Sequence, residues 1–121
     1  MRVLLADDSG TMRTIIRRSL ESLGVSGAIE ASDGIQAIEL FKAGGAFDLV
    51  LTDWNMPGKN GMEVVREIRA IDKNVPIVMV TTESDKARVL EAIGAGVSDY
   101  LVKPFTNEVL RKKLERFAAD A

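Results

Sequence analysis

Five short apolar runs, each about the length of a β-strand, alternate along this chain with segments whose apolar residues repeat at helical spacing. The runs are RVLLA at Arg2 to Ala6, GAIEA around Ala28, DLVLT from Asp48, PIVMVT from Pro76 and DYLVK from Asp99. Between them Met12, Ile15, Ile16, Leu20 and Leu23 form one stripe, and Ile35, Ile38 and Phe41 a second. Met62, Val65 and Ile68 form a third, Ala87, Leu90 and Ile93 a fourth, and Leu110, Leu114 and Phe117 a fifth. Asp33, Ser84 and Thr106 stand where helices should begin, and Gly24, Gly44 and Gly94 where they should end. Strict alternation of this kind builds a parallel sheet with helices on both faces, because right-handed crossovers lay each helix back on the sheet. The expected fold is α/β, a doubly wound (βα)5 unit around one five-stranded parallel sheet, with residues 1–121 forming a single domain. The first, third and fourth runs are almost wholly apolar, as central strands should be.

Composition removes several classes of function. The sequence has no cysteine and no histidine, which excludes thiol catalysis, disulfides, zinc–cysteine sites and the commonest general base. A formal charge of -2 offers no basic field for nucleic acid. The N-terminal apolar run, Val3 to Ala6, is too short for a signal peptide, and no later run approaches the roughly 18 apolar residues of a membrane span. The expectation is a cytoplasmic protein with neither nucleic acid nor membrane as a partner.

In sheets of this kind ligands bind beyond the carboxyl ends of the strands, where the strand order reverses. Asp7 and Asp8 follow the first run, Asp53 follows the third, Thr81 and Thr82 close the fourth, and Lys103 closes the fifth. If the order is 2-1-3-4-5, the first and third strands are neighbours and the three aspartates converge. Carboxylates about 4 Å apart repel by on the order of 4 kcal/mol per pair at an effective dielectric near ~20, so cations are required. Lys103 supplies one charge. With oxygen ligands alone, the remainder points to a hard divalent ion such as Mg²⁺. Three carboxylates, Mg²⁺ and Lys103 sum to zero, and the same cations would hold the charge of a phosphoryl group on Asp53. Singly, each residue has an ordinary explanation: Asp8 as a helix cap, Lys103 as a solvated lysine beside a turn proline, Thr81 as a β-former, and Met56-Pro57-Gly58 as a turn. The agreement of four strand ends favours a site.

With the acid pair, DWNMPGKNG, VTTES and YLVKPF in this order, the whole chain resembles a response-regulator receiver domain. Within that family it is most similar to the single-domain chemotaxis regulators of the CheY type, above all in DWNMP and in Tyr100 ahead of Lys103-Pro104-Phe105. Chemotaxis receivers are a standing example of the flavodoxin-like 2-1-3-4-5 order, so that order comes with the resemblance. The resemblance implies that Asp53 is a phosphoacceptor, that Asp8, Asp53 and the backbone carbonyl of Asn55 bind Mg²⁺ directly, and that Asp7 holds a metal-bound water. Mn²⁺ would be a substitute. It further implies that Lys103 pairs with the phosphoryl oxygens and Thr81 swings to bond them. Tyr100 would turn inward as Thr81 moves, a shift between two populations, and the Lys103-Pro104 bond would be cis. Asn55, Thr82 and Glu83 match rate-tuning positions; Asn55 and Glu83 favour a signal lasting seconds, while Thr82 is larger than the residue often found there and narrows access. Ser9-Gly10 departs from the bulkier apolar residue common after the acid pair.

The implied partner face comprises Val89, Tyr100, Val102 and Lys113, with Val89 off the fourth stripe and facing solvent. With no histidine in the chain any phosphohistidine must come from another molecule, and the resemblance implies a histidine kinase as that phosphoryl donor. The implied target is a flagellar motor switch protein, with a phosphatase as a further partner and the protein a monomer. The alternatives within the family are a phosphorelay shuttle and a receiver cut from a longer regulator; a methionine directly before the first strand favours a free-standing protein, though an excised boundary would look the same. Two rivals outside it fit less well. A flavin binder would need an anion cradle after the first strand, where ADDSGTMR has two carboxylates. An aspartate-nucleophile phosphatase would need a second acid two residues beyond Asp53, where Asn55 stands, so slow self-dephosphorylation is expected in place of turnover.

Overall fold

The computed structural model describes residues 1–118, so the last three residues of the expected 1–121 span lie outside the described residues. Its elements are β1 (Val3–Ala6), α1 (Gly10–Ser22), β2 (Ile29–Ala31), α2 (Gly34–Ala43), β3 (Leu49–Thr52), α3 (Gly61–Ile71), β4 (Ile77–Thr81), α4 (Lys86–Ala95), β5 (Asp99–Val102) and α5 (Asn107–Ala118). All strand pairs are parallel, and the order is β2-β1-β3-β4-β5. Every expected run is a strand and every intervening segment a helix, as the alternation required.

Alternation within each strand divides the core into two layers. Leu4, Ala6, Val50, Ile77 and Met79 point to one face and pack with Ile38, Phe41, Val65, Ile68 and Ala92 of α2, α3 and α4. Val3, Leu5, Leu49, Leu51, Val78 and Val80 point to the other and pack with Ile16 and Leu20 of α1 and Leu110, Leu114 and Phe117 of α5. Because β1, β3 and β4 are covered on both sides, all of their residues are buried. That is why these strands read as unbroken apolar runs.

The fourth helix differs from its sequence reading. The stripe Ala87, Leu90 and Ile93 does not face the core: Leu90 is 57% and Ile93 53% exposed, and the residue that α4 buries is Ala92. Val89, expected in solvent, is half-buried. The helix cap falls one residue after the expected Ser84, with the Asp85 carboxylate accepting from the Ala87 amide at 2.8 Å. It ends at Gly96, whose φ of +113° favours a residue without Cβ; Gly94 is inside the helix. Ile15 and Ile35 also leave their stripes for solvent. Asp33 and Gly44 cap α2 as expected, and the Thr106 hydroxyl accepts from the Val109 amide at the start of α5.

Close backbone approaches set the loop after β3. The Gly61 amide donates to the Trp54 carbonyl at 2.7 Å, and a Cβ on Gly61 would lie 2.1 Å from the Asp53 carbonyl oxygen. Only glycine fits there, so DWNMPGKNG folds back and returns the chain to α3 directly beneath Asp53.

Candidate functional site

Register delivers the acids. Ala6 pairs with Thr52 across β1 and β3, so Asp7 and Asp53 are the next residues on adjacent strands. The Asp53 amide continues the ladder to the Ala6 carbonyl at 2.9 Å, and the Asp7 amide donates to the Ala31 carbonyl at 3.1 Å. Asp7 is 1% exposed and Asp53 9%. Asp8, one residue further out, is exposed. Ligand oxygens of Asp7, Asp8 and Asp53 all lie within 4.8 Å of one another.

Lys103 closes the cluster from β5. Its Nζ donates to Asp7 Oδ2 at 2.7 Å and to Asp53 Oδ2 at 3.1 Å, and the Lys103–Pro104 peptide bond is cis. Burial pulls the ammonium down, yet the bonds and charges of Asp7 and Asp53 outweigh it and hold its pKa above the ordinary lysine value. Three carboxylates and one ammonium still leave two negative charges. A divalent cation with oxygen ligands fits this donor set in charge and in spacing.

Of the other expected positions, Thr82 shares the cavity of the cluster. Thr81 is fully buried at the end of β4, and among the described residues its hydroxyl accepts only a long contact from the Glu83 amide at 3.4 Å. Thr82 is exposed and lines a cavity of about 420 Å³ with Asp7, Asp8, Asp53 and Lys103. Asn55 is exposed, and its amide reaches Glu83 at 3.5 Å. The Tyr100 hydroxyl donates to the Glu83 carbonyl, and burial, then the Glu83 charge, raises its pKa. Val102 is exposed on β5, whereas Lys113 is half-buried and bonded to Asp99 at 2.9 Å. A larger cavity of about 510 Å³ between Phe41, Phe47 and Lys73 opens at the amino-terminal ends of the strands, away from these groups.

Two site residues escaped the sequence reading. Met12, placed in the helical stripe, is a wall of the cavity, beside Pro104 of the expected cis bond. Arg13 reaches back from α1 to donate to the Asp7 carbonyl at 2.7 Å. A signal existed for Met12, since the first turn of a helix that follows a strand-end acid pair must face that pair. Ser9, which stands where a bulkier apolar residue is common in the family, lines the cavity and also caps α1, accepting from the Met12 amide at 3.1 Å.

The 2-1-3-4-5 sheet with an acid cluster and a lysine at its switch point defines a class: this chain belongs to the response regulator receiver domain family, whose profile matches residues 3–115. It is therefore a component of two-component signalling. Among individual proteins it is similar to chemotaxis protein CheY1 of Helicobacter pylori strain J99, with 47% identity over 117 residues covering 95% of this chain and 94% of that protein. Chemotaxis protein CheY of Pseudomonas aeruginosa is 44% identical over 118 residues, covering 96% and 94%. Among solved structures, Vibrio cholerae CheY4 superposes with a TM-score of 0.85 at 36% identity, covering 96% of this chain and 97% of that one. The receiver domain of Francisella response regulator 1452 superposes at 0.90 and 26% identity, covering 98% and 97%. No helix among the described residues is long and apolar enough to cross a membrane.

Proposed function

We propose that this chain is the phosphoacceptor of a chemotaxis pathway. A carboxylate oxygen of Asp53 attacks the phosphorus of a phosphohistidine on a partner kinase; the P–N bond breaks, and the imidazole leaves with its electron pair. The observation that carries this reading is the Lys103 ammonium bridging Asp7 and Asp53 in a cluster that also holds Asp8. Both oxygens of Asp7 are already engaged, Oδ1 by the Ser9 amide at 2.9 Å and Oδ2 by Lys103, while no donor among the described residues engages the Asp8 carboxylate. The free Asp8 carboxylate supports its part as a direct ligand of Mg²⁺ or Mn²⁺; by the family resemblance Asp53 and the Asn55 carbonyl would complete the set, with Asp7 acting through water. The cation, when bound, would neutralise charge on the transferring group.

The chain's own groups do the rest. Lys103, in hydrogen-bond reach of Asp53, offers its charge to a phosphoryl group there. The Thr81 hydroxyl, with no short bond of its own, is available to bond the same oxygens. Its movement is coupled to Tyr100 through the segment at Glu83, which the phenol already grips. The output face around Val89, Tyr100, Val102 and Lys113, with exposed Leu90 and Ile93, would then bind the flagellar motor switch. Thr82 on the cavity wall, with Asn55 and Glu83 in contact with each other, would set a phosphoryl lifetime of seconds by slow autodephosphorylation, with a phosphatase to shorten it. The protein acts as a cytoplasmic monomer and a switch, not as a turnover enzyme.

Trp54, the single tryptophan, adjoins Asp53 and donates its amide to Asp53 Oδ1 at 2.6 Å. Its emission should respond to Mg²⁺ and again to acetyl phosphate, with one phosphoryl group added by intact mass. Asp53→Asn should lose the second response and the added mass. Wild-type protein that gains no phosphoryl group, or a variant that still gains one, overturns the assignment.

A further inference from the structure

Asp7 is held from four directions, and three have evident origins. Its amide belongs to the β1–β2 ladder, Oδ1 to the Ser9 amide that opens α1, and Oδ2 to Lys103. The fourth is the guanidinium of Arg13, whose Nη1 donates to the Asp7 backbone carbonyl at 2.7 Å. The same guanidinium donates through Nε to Glu30 of β2 at 3.1 Å, and Glu30 also takes Arg17 at 3.4 Å. The Arg13 side chain is only 20% exposed, so the planar fork is fixed at both ends.

The carbonyl that Arg13 grips belongs to the peptide joining Asp7 to Asp8. Holding it fixes the plane from which the Asp8 side chain departs, and Asp8 has no donor of its own among the described residues. Charge and geometry make opposite demands here. A free positive charge beside three carboxylates would weaken the uptake of a cation, and Glu30 offsets that charge. A clamp on the Asp7–Asp8 peptide would strengthen uptake by presenting both carboxylates together.

We infer that Arg13 is a positioning residue for the acid pair, aimed and neutralised by Glu30, and that it raises the affinity of the Asp7, Asp8 and Asp53 cluster for a divalent cation. This rests on the metal-site reading above. The test is calorimetric titration of Mg²⁺ into the full chain and into R13A, R13K and E30Q, beside far-UV circular dichroism and amide hydrogen exchange without metal. R13A should bind Mg²⁺ about tenfold more weakly, the scale expected for an outer-shell partner. R13K keeps the charge but not the fork, and should fall between R13A and wild type. E30Q, which leaves the guanidinium charge uncancelled, should also bind more weakly than wild type. The Asp8 and Ser9 amides should exchange faster in R13A while α3 keeps its protection. If R13A binds Mg²⁺ as tightly as wild type or more tightly, Arg13 is only a repelling charge and the inference falls alone. If R13A loses its helical signal, R13K decides by the same criterion. If wild type takes up no Mg²⁺, the metal-site reading fails and takes this inference with it.

Discussion

Helices α3 and α4 lie side by side on one face of the sheet and are fastened in different ways. α3 is held along its length: Met62, Val64, Val65 and Ile68 are buried, and a capping box joins Asn60 and Glu63 at its start, with bonds of 2.9 and 3.1 Å. α4 is held at its ends. Arg88 lies over the Trp54 ring, 5.2 Å from its centre, Tyr100 grips the Glu83 carbonyl before the helix, and Arg69 donates to the Gly96 carbonyl after it at 2.9 Å. Along its middle only Ala92 is buried. A helix pinned at its ends and loose along its length can shift or reorient at little cost in packing. This suits an element between the phosphorylation site and the output face proposed above.

The contrast can be broken at its largest effect by truncating one apolar residue in each helix. Ile68→Ala should cost about 3 kcal/mol in urea unfolding, since Ile68 is fully buried, whereas Leu90→Ala should stay within about 0.5 kcal/mol. Equal losses would mean that α4 is packed as α3 is. The caps come next: Asn60→Ala removes a reciprocal pair of bonds and should cost about 1–2 kcal/mol, against about 0.5–1 kcal/mol for Asp85→Ala. Tyr100→Phe sharpens the comparison at one anchor. Losing a bond worth about 1 kcal/mol should speed amide exchange in α4 and leave α3 unchanged.

The smallest effect is one of pH. Tyr100 is the single tyrosine, so absorbance at 295 nm reports it alone. Its raised pKa means that the folded state holds the phenolic proton more tightly than the unfolded chain does. The stabilisation is therefore full below the ordinary tyrosine value of about 10 and is lost as pH rises through the folded value. The folded protein should ionise at higher pH than the same protein in urea, and coincident titrations would show that the anchor does not hold.

Most of the fold was legible because apolar periodicity is the signal that strands and helices leave, and β1, β3 and β4 carry it without interruption. The candidate site was legible because Asp7, Asp8, Asp53 and Lys103 stand just past such runs, with Thr81 closing one. What failed was α4. Ala87, Leu90 and Ile93 have the spacing of a core stripe, but spacing does not say which way a stripe points. Here it points outward, which suits the output face proposed above. The Ser84 and Gly94 caps failed with it, since Asp85 and Gly96 are equally good signals a residue or two away. Arg13 was not legible, because a side chain reaching a backbone carbonyl in another element leaves no periodicity.

The register of β1 against β3 sets more than the height of two acids. Asp7 and Asp53 meet because Ala6 pairs with Thr52. A slip by one residue would carry one acid about 3.3 Å along the strand and turn it to the opposite face. No compact state with mispaired central strands would assemble the cluster, so a cation that binds it would stabilise only the correctly paired sheet. The acid cluster thus acts as a checksum on folding: it is complete only when residues from distant parts of the chain have aligned to the residue, and ionic magnesium would report that alignment before any signal is received.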